Sequence, residues 1–370
     1  MTERVRAAVV GVGHLGALHA AKYAATDGAE LAGVYDIDPA RARDVAATHG
    51  CRSFESLAAL LGEADCVSVA TPTATHREVA SAAIARGVSV LVEKPLAASL
   101  ADASELVRTA DEKGVLLFVG HLERFNPAFA DLPSIVGHPR FIECHRLSPF
   151  AGRGADTDVV FDVMIHDLDL IAFVVGREAL GIEAIGVPVL SDHADIANAR
   201  LRFDGGCIAN VTASRVSLKR ERRLRIFQED AYVAVDFDAR SLRIVRRRAG
   251  AGPIDLSSPM DAIEVEERTF ADDADPLREE IAAFVRAVAS HRDARARGQV
   301  ERAGTGLEAA RAREIGITGR EALVAVELAE RVRVAVASEA AKNELEAGGT
   351  ARASGAPAGR PERPRSPGSN

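Results

Sequence analysis

The stretch Val5-Arg6-Ala7-Ala8-Val9-Val10-Gly11-Val12-Gly13-His14-Leu15-Gly16 decides the fold. Its valine- and alanine-rich start reads as a strand, a glycine-spaced turn follows, and helical spacing begins at His14. The three glycines have separate uses. The first permits the tight bend, the second lets a pyrophosphate approach the backbone, and the third lets helix and strand pack closely. The unpaired N–H groups at the helix start then face the phosphate charge. Gly11, Gly13 and Gly16, with His14 and Leu15 between them, are therefore candidate dinucleotide-binding residues.

Working outward, the same rhythm fills the first third of the chain. Short apolar runs (Arg6–Val10, Leu31–Tyr35, Cys66–Ala70, Val88–Val92, Val115–Val119) alternate with helical stretches at His14–Thr26, Pro39–His49, Thr75–Arg86 and Ser99–Lys113. Strands alternating with helices make a parallel sheet, and their near-uniform apolarity fits a sheet covered on both faces. Residues 1–122 read as a Rossmann domain. Asp36 follows Gly16 by about 20 residues, at the end of the second strand, where a carboxylate accepts hydrogen bonds from ribose hydroxyls and repels a 2′-phosphate. That favours NAD over NADP, while Arg41 and Arg43 leave a way to accommodate the phosphate.

Beyond Gly120 the pattern changes. A helical stretch near Asp158–Val175 precedes strand candidates at Glu183–Val189, Ala197–Phe203, Gly206–Ser214, Leu224–Gln228, Ala231–Phe237 and Ser241–Arg246. Closely spaced strands predict a largely antiparallel open sheet in a second α/β domain, residues 123–338, for substrate binding and oligomerisation. Asp275-Pro276 caps a helix through about Ala289, a last helix covers Gly319–Ser338, and residues 339–370 read as a disordered tail. A length of 370 residues suits two domains, and a net charge of −8 argues against nucleic acid as a partner. No apolar run is long enough to insert in a membrane, and the N-terminal residues lack a secretory pattern, so the expected location is cytoplasmic. Four scattered cysteines without a CxxC pair argue against disulfide staples and a zinc site.

Two segments carry candidate chemistry. Val90-Leu91-Val92-Glu93-Lys94-Pro95 ends a strand at its carboxyl edge, where open α/β sheets bind ligands, and Lys94 is bracketed there by a carboxylate and a proline. In Phe161-Asp162-Val163-Met164-Ile165-His166-Asp167-Leu168-Asp169, helical spacing puts Asp162, His166 and Asp169 on one face. A histidine one turn from a carboxylate is a general acid or base near neutral pH, or else an ordinary ion-paired surface histidine. One imidazole with two carboxylates is a poor zinc signature, so no metal is expected. Arg124 and Asn126, in Gly120-His121-Leu122-Glu123-Arg124-Phe125-Asn126-Pro127, either reach the interdomain cleft or cap the linker. The basic run Lys219–Arg225 is either a solvated strand or a site for an anion.

Taken in order, these motifs resemble the Gfo/Idh/MocA family from Val5 to about Ala337: GVGHLG, Val69-Ala70-Thr71-Pro72-Thr73 with His76, Glu93-Lys94-Pro95, Arg124-Phe125-Asn126-Pro127, and the Asp162…His166 helix. The resemblance implies an enzyme, an oxidoreductase that transfers hydride from a secondary hydroxyl of a sugar-like small molecule to NAD. It implies that Lys94 orients or deprotonates the hydroxyl, that His166 relays the proton and that Asp162 assists. It also implies a cis bond before Pro95, Thr71, Pro72, His76 and Glu93 at the cofactor cleft, and a homodimer or homotetramer paired through the C-terminal sheets. Met164 departs from the family, which often has a small residue there. The runs at Gly120–Pro127, Glu143–Phe150 and Val163–Asp167 are similar to a bacterial subgroup that oxidises the 3-hydroxyl of UDP-N-acetylglucosamine. In that reading Arg124, Asn126, His145 and Arg146 join Asp162 and His166 in substrate binding. Arg146, Arg153 and the basic run offset a diphosphate. Competing readings are a free-sugar or inositol dehydrogenase, a hydrolase of glycosides using bound NAD, and a non-catalytic NAD-binding regulator.

Overall fold

Residues 4–150, 157–248, 250, 257–271, 274–297 and 316–353 are described by a computed structural model of the chain. Arg153 lies outside the described residues. The first sheet comprises β1 (Val5–Val10), β2 (Ala29–Tyr35), β3 (Arg52–Ser53), β4 (Cys66–Val69), β5 (Ser89–Glu93) and β6 (Leu117–Gly120). All neighbours pair in parallel, in the order β3-β2-β1-β4-β5-β6. The crossovers are α1 (His14–Ala24), α2 (Pro39–His49), α3 (Leu57–Leu61), α4 (His76–Ala85) and α5 (Leu100–Lys113).

Local chemistry sets these bounds. Asp38 accepts hydrogen bonds from the Ala40 and Arg41 amides, Pro39 opens α2, and left-handed Gly50 closes it. Ser99 caps α5 in the same way. β4 and β5 are buried along their whole length because helices cover both faces. Strand order reverses between β1 and β4, so the crevice outside their carboxyl ends is the expected ligand site.

The second sheet comprises β7 (Phe141–Leu147), β8 (Ala179–Val187), β9 (Ile196–Phe203), β10 (Ile208–Ser214), β11 (Glu221–Phe227), β12 (Ala231–Asp236), β13 (Ser241–Arg247) and β14 (Ile263–Thr269). Its order is β14-β13-β12-β11-β7-β10-β9-β8, antiparallel except for β7 beside β10. The expected α/β class and mostly antiparallel second sheet hold. Short helices α6 (Pro127–Ala130) and α7 (Leu132–Ile135) lead into it, and α8 (Ile165–Val175) packs on one face.

Helix α9 (Pro276–Ala296) returns to the first sheet, where Phe284 meets Phe118 at 5.3 Å and Ile281 and Val288 join its core. Helix α10 (Gly319–Ala353) packs on β8 and α8. It overruns the expected end at Ser338 and corrects the disordered tail for residues 339–353. The segment Glu339-Ala340-Ala341-Lys342 is made of strong helix formers that continue the turn. Residues 354–370 lie outside the described residues. Among the described residues no helix is long and apolar enough to cross a membrane.

Candidate active site

The glycine turn has the geometry its residues demand. Gly11 adopts φ +81°, and a Cβ there would lie 2.7 Å from Thr71 Cγ2. A Cβ on Gly16 would sit 1.8 Å from the Gly11 carbonyl oxygen, so helix and turn touch through the missing side chain. Beside Gly13, by contrast, a Cβ would meet nothing within 4 Å. The N-terminus of α1 has no side-chain cap and no acidic residue in its first turn, and His14 and Leu15 are exposed there. An open backbone, free amides and a helix dipole fit a dinucleotide's pyrophosphate.

Asp36, just beyond β2, is buried. Its Oδ2 accepts from the Val12 amide at 2.8 Å and its Oδ1 from the Asp38 amide at 2.9 Å. Arg41 Nη1 lies 3.3 Å from Oδ1. The arginine that left NADP open is thus paired with the carboxylate that favours NAD.

Lys94 follows β5 and precedes a cis peptide bond to Pro95. Its ammonium donates to the Asp162 carbonyl oxygen at 2.8 Å and lies 3.6 Å from Asp162 Oδ1. The strand end and the second domain are joined at this lysine. Asp162 sits not on an α-helix but in a π-helical turn, Val160–Met164, where the Ile165 amide reaches back five residues to Val160. Such widened turns are frequent at functional sites. Buried Met164 occupies the turn.

His166 lies in the first turn of α8, partly buried, with its Nδ1 buried and unbonded. Burial, and then the charges of Lys94, Arg146, His121 and Arg222, keep its pKa well below the ordinary histidine value, so the ring is neutral. Lys94 and Asp162 are thus joined, and His166 lies close enough to feel the charge of the lysine.

Other expected residues turn away from these three. Glu93 is buried beneath Lys94 and accepts from His19 Nε2 at 2.7 Å. The chain continues through His19 Nδ1 to Ser68 Oγ at 3.0 Å and on to the Tyr23 hydroxyl at 2.8 Å. Burial pushes the Glu93 carboxyl up, but His19 and Lys94 hold it below the usual range. Its carboxylate is thus engaged inside the first domain, with the Lys94 charge close by. His76 is likewise buried, 2.9 Å from both the Pro95 and Thr71 carbonyl oxygens, so it ties together the loops after β4 and β5. Burial lowers its pKa, and a neutral ring donates to only one carbonyl at a time. Of the loop after β4, Thr71 abuts the glycine turn and exposed Pro72 follows it.

Four residues expected at the substrate are engaged by partners within the protein. Arg124 makes a two-pronged bond to Asp169 at 2.8 and 2.6 Å, reaches Glu321 at 3.1 Å and covers the Phe173 ring. Asn126 is buried and caps α6 by accepting from the Ala128 amide. Arg146 is buried against Asp167 at 2.9 Å and Glu123 at 2.7 Å. The alternation of β7 then sends its neighbour His145 to the opposite face, between Glu143 and Glu221. Most of the basic run is paired across strands: Arg220 with Asp238, Arg223 with Asp236, Arg225 with Glu143. Arg222 differs. It shares the face of Arg146, its carboxylate contacts are longer at 3.4 and 3.8 Å, and its charge acts on His166.

Reading the sequence missed His19, Ser68, Tyr23, Glu123, Asp167 and His121. The one available signal was on α1, where His19 and Tyr23 fall one turn apart on the buried face.

Comparison with known proteins agrees with this geometry. Residues 5–121 match the oxidoreductase family with an NAD-binding Rossmann fold, and residues 135–234 match the GFO/IDH/MocA C-terminal domain. The chain is 43% identical over 289 residues to UDP-N-acetylglucosamine 3-dehydrogenase of Acidithiobacillus ferrooxidans, covering 78% of this chain and 90% of that one. A solved structure of that enzyme superposes with a TM-score of 0.78 at 39% identity, over 90% of this chain and 97% of the other. A scyllo-inositol 2-dehydrogenase (NAD(+)) of Bacillus subtilis is 31% identical over 236 residues, 59% of this chain and 69% of that one. The chain belongs to the Gfo/Idh/MocA family and is an NAD-dependent oxidoreductase acting on a CH–OH group.

Proposed function

We propose that the chain oxidises the 3-hydroxyl of UDP-N-acetylglucosamine to the ketone. The observation that carries this reading is the Lys94 ammonium, held 2.8 Å from the Asp162 carbonyl beside neutral His166, in a chain 43% identical to a dehydrogenase of that substrate. Gly11, Gly13, Gly16 and Asp36 hold the cofactor, with Thr71 and Pro72 on the facing loop. When bound, NAD supplies the hydride acceptor for the carbinol carbon.

Lys94 donates to the sugar hydroxyl and stabilises the alkoxide character that grows as the hydride leaves. His166, being neutral, takes the hydroxyl proton. Asp162 holds the lysine in place through its carbonyl oxygen and its carboxylate. Arg222, with only long contacts to carboxylates, offsets the charge of the diphosphate.

The test is NADH formation with NAD and, in parallel, UDP-N-acetylglucosamine, free N-acetylglucosamine and myo-inositol, with a ketone trap to pull the equilibrium. The expected result is turnover of the nucleotide sugar alone. Turnover of myo-inositol or the free sugar without the nucleotide would overturn the substrate.

The reading includes self-association and a cytoplasmic location. Residues on the sheet face opposite α8 remain exposed, including Ile185, Phe227 and Val265, and Phe227 clusters there with Phe141 and Tyr232. A second copy laid on this face would cover that surface. A monomeric mass by light scattering would exclude the pairing. Four free cysteines, three of them buried, suit a reducing compartment.

A further inference from the structure

His121 stands at the junction of the two domains, one residue beyond β6. It is 1% exposed, and neither ring nitrogen has a hydrogen-bond partner among the described residues. A buried imidazole without partners is costly. A phenylalanine would fill the same space without that cost, so the nitrogens need an explanation.

Their surroundings supply one. The His121 ring meets the His166 ring edge-on, centroids 6.5 Å apart. On its other side, His121 Nδ1 lies 3.9 Å from Asp169 Oδ2. The Nδ1 of His166 is also buried and unbonded. Three unsatisfied ring nitrogens thus lie on two neighbouring imidazoles. At that centroid separation a direct N–H···N bond is out of reach, so any coupling between the rings needs a bridging water.

We propose that His121 is a positioning residue for the reaction, acting through His166 as the second imidazole of a proton relay. The inference rests on the dehydrogenase reading above. As the substrate O–H bond breaks, an N–H bond forms on His166, while the hydride leaves the carbon with its electron pair for NAD. The proton on the other nitrogen of His166 passes through the bridging water to His121, on the side of Asp169. One proton has then moved from substrate to His121, and it returns to solvent by the reverse path after the ketone leaves.

Electrostatics set the direction of the relay. A charged His166 is opposed by burial and by Lys94, Arg146, His121 and Arg222. His121 is opposed by burial, Arg124 and Lys94 but favoured by Asp169 and Glu93. The second ring is the less hostile place for the proton. Before turnover it holds His166 in the tautomer that leaves the substrate-side nitrogen free to accept.

Two measurements on the full chain test this. Nitrogen-15 spectra of the histidine rings, taken without substrate, should show one dominant His166 tautomer in the wild type. H121F should shift the tautomer balance, and H121Q, which keeps polar ends, should restore it. The same His166 tautomer in all three proteins would overturn the proposal, even if no tested sugar were oxidised. With a turned-over substrate, H121F should lower kcat roughly tenfold or more with KM little changed, and should move the acid limb of the pH profile. H121Q should recover part of kcat. Wild-type kcat in H121F, or equal losses in both variants with an unmoved pH limb, would reduce His121 to packing.

Discussion

Asp36 holds three things at once: the Val12 amide of the glycine turn, its own loop through the Asp38 amide, and Arg41. Replacing it therefore does more than remove a ribose acceptor. In Asp36→Ala, Arg41 loses its carboxylate and becomes available to a 2′-phosphate. The ratio of kcat/KM for NAD to that for NADP should fall by about tenfold or more. Measuring both ratios on one preparation checks it, and an unchanged ratio would remove Asp36 from cofactor choice. At this scale the glycine turn was legible because its chemistry needs glycines at a fixed spacing, and Lys94 and Asp162 could each be singled out by its local motif, while their contact comes only from folding. The partners of Arg124 and Arg146 were not legible. Arg124 read as a cleft or linker-capping residue and Arg146 as a counter-charge to a diphosphate, but Asp169 and Asp167 lie 45 and 21 residues away in the chain and only folding brings them into contact.

Alternation explains which elements could be recognised. In β9, buried and exposed residues alternate cleanly along Ile196–Phe203. In β7 both faces carry polar groups, because Arg146 is buried and His145 is not, so no period of two marks a strand. The inward positions of β14, Glu264, Glu266 and Arg268, are charged, as suits a strand at the sheet edge. Helix α8 hides a subtler feature. Equal helical spacing placed Asp162, His166 and Asp169 on one face, whereas Asp162 sits in a π turn with its carbonyl accepting from Lys94, and Asp169 is buried with Arg124. The pair ties the interdomain linker to α8, and Glu321 adds α10. Burial pushes the Asp169 carboxyl up, and Arg124 more than reverses it. Arg124→Ala leaves that carboxylate buried and unpaired, which should cost about 3–5 kcal/mol in urea unfolding at neutral pH. NAD affinity should change little. A stable variant with a raised KM for the sugar would instead return Arg124 to the substrate site.

Across the molecule, the buried titratable groups pull stability in opposite directions with pH. His76, His121 and His166 all have pKa values lowered by burial, so the folded chain refuses protons that the unfolded chain takes up below about pH 6.5. Their contribution is full above that pH. It is lost as pH falls from there toward each folded pKa, by roughly 1.4 kcal/mol per pH unit for each ring. Glu280 on α9 acts the other way. It is 2% exposed with neither oxygen hydrogen-bonded, and burial, then Glu93, push its pKa well above the ordinary value. Between the unfolded carboxyl value and that raised one, the folded chain keeps a proton the unfolded chain has lost, so raising the pH through this window costs stability. Glu280→Gln keeps the shape and removes the ionisation. It should therefore be more stable than the wild type at pH 7 to 8, and the two melting curves should converge near pH 4, roughly where the unfolded carboxyl is protonated. The melting temperature of both proteins should fall between about pH 6.5 and 5, because the three histidines remain. Parallel curves for the two proteins at every pH would show that Glu280 finds a partner in solution. A melting temperature that holds steady over the histidine window would show that the buried rings are not refusing protons.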